Sequence, residues 1–165
     1  MKKYIIAIFA ICALMFTSCA DFLNIRTEAT MPTSGMDYSK VENIFQPVSA
    51  AYASMRLGEG EAQSYVAVLE VASDDADKGS DATDGLTVKE IDEFTFTPTN
   101  NHINNMWVYF YNIVSSANYA IESMDKFQAA VSSEDALKTV AQCRGEAKII
   151  RAYAYFNLVR LFGAV

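Results

Sequence analysis

The sequence predicts an all-α fold of antiparallel helix pairs interrupted by one long acidic loop. Three observations carry this. Apolar residues recur every three or four positions along Ile103, Met106, Trp107, Phe110, Val114, Ala117, Ile121 and Met124, and again along Ala147, Ile150, Ala154, Leu158 and Leu161. That spacing marks one face of a helix. A short serine-containing turn, Val131-Ser132-Ser133, separates the two stretches, so the helices it joins pack side by side in opposite directions. Upstream, two shorter helical stripes end in the most polar run of the chain, Ser73 to Gly85.

The elements follow in order. Lys2 and Lys3 precede an almost unbroken apolar run from Tyr4 to Phe16, and Thr17-Ser18 supplies small residues before Cys19. This is the anatomy of an export signal. The run is shorter than the roughly 20 residues of a membrane span, which disfavours the alternative of an N-terminal anchor helix. A cysteine directly after two small residues resembles the lipobox of bacterial lipoproteins, in which that cysteine becomes the acylated N-terminus. Phe16 stands where the usual residue is Leu. Residues 1–18 are therefore expected to be a signal peptide, Cys19 the lipidation site, 19–37 a lipidated tether, and 38–165 the helical domain.

Cysteine and charge agree with that division. Cys12 leaves with the signal and Cys19 carries lipid, so only Cys143 remains, and one thiol closes no internal disulfide. Removing residues 1–18 removes two lysines and moves the formal charge from -7 to -9. An acidic chain without a Lys/Arg cluster is not a nucleic-acid binder. No cofactor is expected.

From Ser39 to about Leu57, the residues Val41, Ile44, Phe45, Val48, Ala51, Tyr52 and Met55 keep helical spacing around Pro47. A single helix bent at Pro47 is expected over a new helix starting there, with Gly58 and Gly60 ending it. Gln63 to Ala72 gives a second stripe on Tyr65, Val66, Leu69 and Ala72. Five aspartates then fall within the eleven residues from Asp74 to Asp84. They can accept hydrogen bonds from sugar hydroxyls or bind calcium, but the spacing is not an EF-hand ladder, and no metal site is assigned. The bland reading is a solvated acidic loop.

Glu93 to Pro98 alternates aromatic residues with Thr and reads as extended. Thr99 or Asn100 caps the next helix. Trp107 and Phe110, tempting as a sugar platform, are read as core because they lie on the apolar stripe. Ser132 with Asp135 forms a capping box for a final helix of about 45 Å at roughly 1.5 Å per residue. Gly145 inside that helix implies close approach of a neighbour. Gly163 is its stop.

Paired helices with small and aromatic residues at their crossings resemble tetratricopeptide-like repeats. A more specific resemblance rests on two ordered stretches. Trp107-Val-Tyr109-Phe-Tyr111-Asn-Ile113-Val-Ser-Ser-Ala117-Asn118-Tyr119-Ala-Ile121-Glu122 and Gly145-Glu146-Ala147-Lys-Ile-Ile-Arg151-Ala152-Tyr153-Ala-Tyr155-Phe156-Asn-Leu158-Val-Arg160-Leu-Phe162-Gly163 are similar to two signatures of the SusD/RagB outer-membrane lipoproteins. Asp74-Asp75 falls where that family often has a Ser-Asp-Asp-like run. The resemblance implies an N-terminal, tetratricopeptide-like helical part of such a protein, in a chain shorter than its relatives.

It also implies a non-catalytic protein on the outer face of a Bacteroidota outer membrane. Such a protein captures oligosaccharide for a SusC-like TonB-dependent transporter and is held to the membrane by its lipid anchor. On this reading Asp74, Asp75 and Asp77 are the candidate ligand-binding residues, and the loops Asp74–Gly85 and Glu93–His102 the contributing segments. A helical-repeat adaptor for another protein, anchored at the same membrane, is the alternative. A hydrolase pairing the loop aspartates with Glu70 or Glu93 needs a carboxylate with a raised pKa, which an open loop gives no reason to expect.

Overall fold

A computed structural model describes residues 35–165. The export signal, Cys19 and most of the tether lie outside them. A turn of 3-10 helix at Val41–Asn43 leads into α1 (Gln46–Ser54), then α2 (Glu59–Val66), which runs on through a π turn at Ala67–Val71. After the acidic loop come α3 (Leu86–Asp92), α4 (Asn101–Ala130) and α5 (Glu134–Phe162). There is no strand among the described residues, so the fold is all-α as the periodicity predicts.

The frame is the antiparallel pair α4–α5. Arg144 donates to Asp125 at 2.7 Å and Arg151 to Asn118 at 2.8 Å, so partners on one helix descend as those on the other rise. Between them lie Phe110, Ile113, Ala117 and Met124 from α4 and Val140, Ala147, Ala154 and Leu158 from α5, all buried. Alanines at the crossings let the backbones come close while Phe110 fills the space. Ile44, Val48 and Ala51 bring α1 onto this pair, and the Tyr109 hydroxyl donates to the Met55 carbonyl at 2.7 Å. Burial of that phenol pushes its pKa up to about 12.

Several local expectations are corrected. No single bent helix spans 39–57: Pro47 sits in the first turn of α1, where its missing N–H is not needed. Gly58 precedes α2 as its N-cap, whereas Gly60 is inside that helix. In the segment 63–72 the buried side chains are Ser64, Ala67 and Val71, while Val66 is 52% exposed. The helix starts earlier than its apolar stripe suggests, and the π turn inserts an extra residue per turn, which shifts the facing register.

Glu93–Pro98 forms no strand. Phe94 takes φ +53 directly after α3, the left-handed position usually given to glycine. Asn100 caps α4 as expected, its side chain accepting from the His102 amide at 3.0 Å. The cap of α5 is Ser133, one residue beyond the expected Ser132, so the reciprocal position is Ala136 and no capping box closes. Phe110 is core as predicted, but Trp107 is 40% exposed, with its ring edge-on to Phe162 at 5.0 Å.

Gly145 is also unlike its expectation: a Cβ there would meet nothing within 4 Å. It sits in an exposed helical position with no neighbour that requires it. Gly145→Ala is therefore expected to stabilise the dilute protein by about 0.5–1 kcal/mol, seen as a higher urea midpoint at unchanged slope. A lower midpoint would mean that something else occupies this face.

Candidate functional site

The loops flanking α3 are the irregular parts of the described chain, and a buried polar cluster holds them to the helices. Its centre is His102, 3% exposed, in the first turn of α4. The Ser64 hydroxyl donates to the Gly60 carbonyl at 2.8 Å, so its oxygen is an acceptor toward the other two neighbours. Asn105 Nδ2 donates to it at 3.1 Å and His102 Nδ1 lies 3.0 Å away. This assigns the proton to Nδ1. Nε2 then accepts from the Thr87 hydroxyl of α3 at 3.1 Å. Asn100 completes the clamp, donating to the Thr87 carbonyl at 2.9 Å and to Glu90 at 2.8 Å.

Burial lowers the His102 pKa from its ordinary value. The unfolded chain then takes up a proton that the folded one refuses. The stability given by the neutral ring is complete above about pH 6.5 and is lost as pH falls through the lower folded pKa. The urea midpoint should therefore drop on acidification from about pH 7 to about pH 5. His102→Gln should flatten that part of the profile, and an identical slope in the variant would show that other groups cause it.

The acidic loop is ordered by its one cation. Lys78 Nζ donates to the carbonyls of Asp81 at 2.7 Å and Gly79 at 3.2 Å, and the Lys78 amide donates to Asp92 at 3.3 Å. Ser80 donates to Asp84 at 2.9 Å, and Asp81 accepts from the amide and hydroxyl of Thr83 at 2.9 and 2.8 Å. Those bonds, the amide first, hold the Asp81 carboxyl below its usual pKa. It is an anion and an acceptor.

Of the residues singled out from sequence, Asp74, Asp75 and Asp77 are all exposed at the start of this loop. The loop's internal hydrogen bonds run through Asp81 and Asp84 instead. No group of three or more His, Cys, Asp or Glu side chains is placed to hold a metal ion among the described residues.

Two open grooves flank α3. One, of about 600 Å³, has Lys78, Ser80 and Asp84 on one side and Ala62, Val66 and Val88 on the other. The second, of about 500 Å³, is lined by Phe94, Phe96, Pro98, Arg160 and Phe162. Polar loop groups beside apolar and aromatic walls suit a ligand that has hydroxyls on its edges and hydrocarbon on its faces. The polar lining of the first groove was legible only as the single lysine in an acidic run. His102 was visible as the one histidine next to a helix cap, but not as the link between three helices.

The helices thus hold irregular loops beside two open grooves. Residues 21–165 match the SusD-like family described as starch-binding, associating with outer membrane, and the chain belongs to that family. It is 29% identical over 165 residues to SusD-like protein P2 of Formosa agariphila, covering 100% of this chain and 31% of that protein. It is 33% identical over 73 residues to a SusD-like protein of Bacteroides ovatus, covering 44% of this chain and 13% of the relative. The chain thus spans less than a third of the length of the curated relatives it matches. No solved structure matches it significantly. No described helix is long and apolar enough to cross a membrane.

Proposed function

We propose that the protein is a lipid-anchored, non-catalytic glycan-binding protein of the outer membrane, which hands oligosaccharide to a SusC-like TonB-dependent transporter. The observation that supports this most is the family match, which begins two residues after Cys19 and runs through both grooves. Cys19, acylated once the signal-like residues 1–18 are removed, would supply the anchor, with 19–37 as tether and 38–165 as the binding scaffold. Lys78, Ser80 and Asp84 would meet sugar hydroxyls in the first groove, with Asp74, Asp75 and Asp77 at its approach. Phe94, Phe96 and Phe162 offer stacking faces in the second.

The transporter half of the proposal is tested by affinity purification of the tagged protein from outer membranes of the producing cell. Co-purification of a TonB-dependent transporter in near-equal amount is the expected result. Its absence from membranes that contain both proteins would count against the partnership.

A further inference from the structure

The two walls of the first groove belong to different helices, and one buried imidazole joins them. Ala62 and Val66 of α2 form one wall, and Val88 of α3 with Lys78 and Ser80 of the acidic loop forms the other. The second wall has little core of its own, since α3 has seven residues and buries only Ile91. His102 supplies the tie. Its Nδ1 lies 3.0 Å from Ser64 of α2 and its Nε2 3.1 Å from Thr87 in the first turn of α3. The acidic loop hangs on the far end of the same helix, where Asp92 accepts from the Lys78 amide at 3.3 Å.

The two ring nitrogens are committed in opposite senses. The Ser64 hydroxyl proton goes to the Gly60 carbonyl, so Nδ1 donates to Ser64, while Nε2 accepts from Thr87. A proton added at Nε2 takes up the lone pair that Thr87 uses. The Thr87 hydroxyl must then turn its own proton away, and the ring becomes a cation in a site only 3% exposed. A buried cation is costly unless an anion is paired with it.

No carboxylate is bonded to this ring among the described residues. Apart from His102 itself, α4 carries no charged side chain before Glu122. Glu59 and Glu61 of α2, Glu70 of the π turn and Asp92 of α3 make no bond to it. Glu90 is held by the Asn100 amide at 2.8 Å, and Lys89 pairs with Glu93 at 3.7 Å. Lys78 and Asp84 are bonded within their own loop. Burial rather than a neighbouring charge is what lowers the His102 pKa.

We propose that His102 is a proton-operated tie between the walls of the first groove. Neutral, it holds α2 to α3; protonated, it releases the first turn of α3 and the loop that α3 carries. Asn100 still reaches the Thr87 carbonyl and Ile91 stays buried, so the wall loosens without leaving the domain. The tie stands on geometry alone. Its consequence for ligand rests on the glycan-capture reading: the grip of the groove weakens as pH falls from about 7 to about 5.

Hydrogen exchange tests this, read by mass spectrometry on the full chain purified from membranes. Rates at about pH 7 and about pH 5 are compared after correction for the intrinsic effect of pH. Protection of residues 78–92 should fall roughly tenfold on acidification, while that of residues 140–158 in α5 holds. His102→Gln, whose amide donates and accepts but takes no proton, should show the same protection at both pH values. Thr87→Val keeps the side-chain shape without the hydroxyl, and should lower the protection of residues 86–92 already at about pH 7.

Undiminished protection of residues 78–92 at the lower pH overturns the proposal. So does an equal loss in residues 140–158, or the same loss in His102→Gln. A Thr87→Val protein protected like the unaltered one also overturns it, even where the Gln variant does not fold. No sugar enters this measurement, so its failure is separate from a failure of glycan capture.

Discussion

Replacing Phe110 with alanine is expected to destabilise the helical domain by about 3–5 kcal/mol. Phe110 is 0% exposed in the middle of α4 and meets the rings of Tyr109 at 5.0 Å and Tyr153 at 6.3 Å. Its side chain lies between α4 and α5 among the buried Met106, Ile113, Ala154 and Leu158. Those neighbours are fixed in two packed helices and only partly refill the space, so a cavity remains and adds to the lost transfer energy. A domain of this size has only about 5–15 kcal/mol in total, so the variant should lose a large part of its stability.

Urea unfolding followed by helical circular dichroism measures this loss. Trp107→Ala is the internal comparison: it lies less than one helical turn from Phe110 on the same apolar stripe, yet Trp107 is 40% exposed and should lose clearly less. Equal losses at the two positions would mean that the α4–α5 packing is not as described.

Cys19→Ala is expected to abolish stable membrane attachment. Each acyl methylene buried in lipid contributes about 0.8 kcal/mol, so two or more chains hold a protein that has no spanning helix. Without the thiol no chain can be attached. The variant should accumulate with its signal uncleaved or leave the membrane fraction. Treatment with globomycin should do the same to the unaltered protein. Unchanged size and fractionation under both conditions would remove the anchor from the proposed function.

The fold class was legible because long amphipathic helices repeat their signal many times. Eight apolar positions in α4 and five in α5 leave little ambiguity about type, and Asn100 and Gly163 marked two of the ends. Short elements repeat theirs too few times. Seven residues of α3 contain only two turns, and the Phe-Thr-Phe-Thr pattern after it, which reads as a strand, is here an irregular connection that begins with Phe94 at positive φ. The π turn after α2 was hidden because nothing in Ala67–Val71 signals an inserted residue.

The candidate site was less legible still. Its polar lining depends on Lys78 folding back over its own loop and on His102 reaching α2 and α3, distances that no local pattern records. The aspartates that stood out by density, Asp74, Asp75 and Asp77, lie at the loop's start, while Asp84 lines the groove. Gly145 shows the converse. Its sequence implied a close neighbour, and the described residues hold none there.

The proposed function is capture of glycan without cleavage. The most direct measurement is isothermal titration of the full protein with a panel of starch-derived and other oligosaccharides, followed by chromatography of the recovered sugar. Saturable binding of at least one glycan, recovered intact and weakened by Lys78→Ala, is the predicted result. Cleavage of the bound sugar, or no binding by a protein whose helicity is intact, would contradict it.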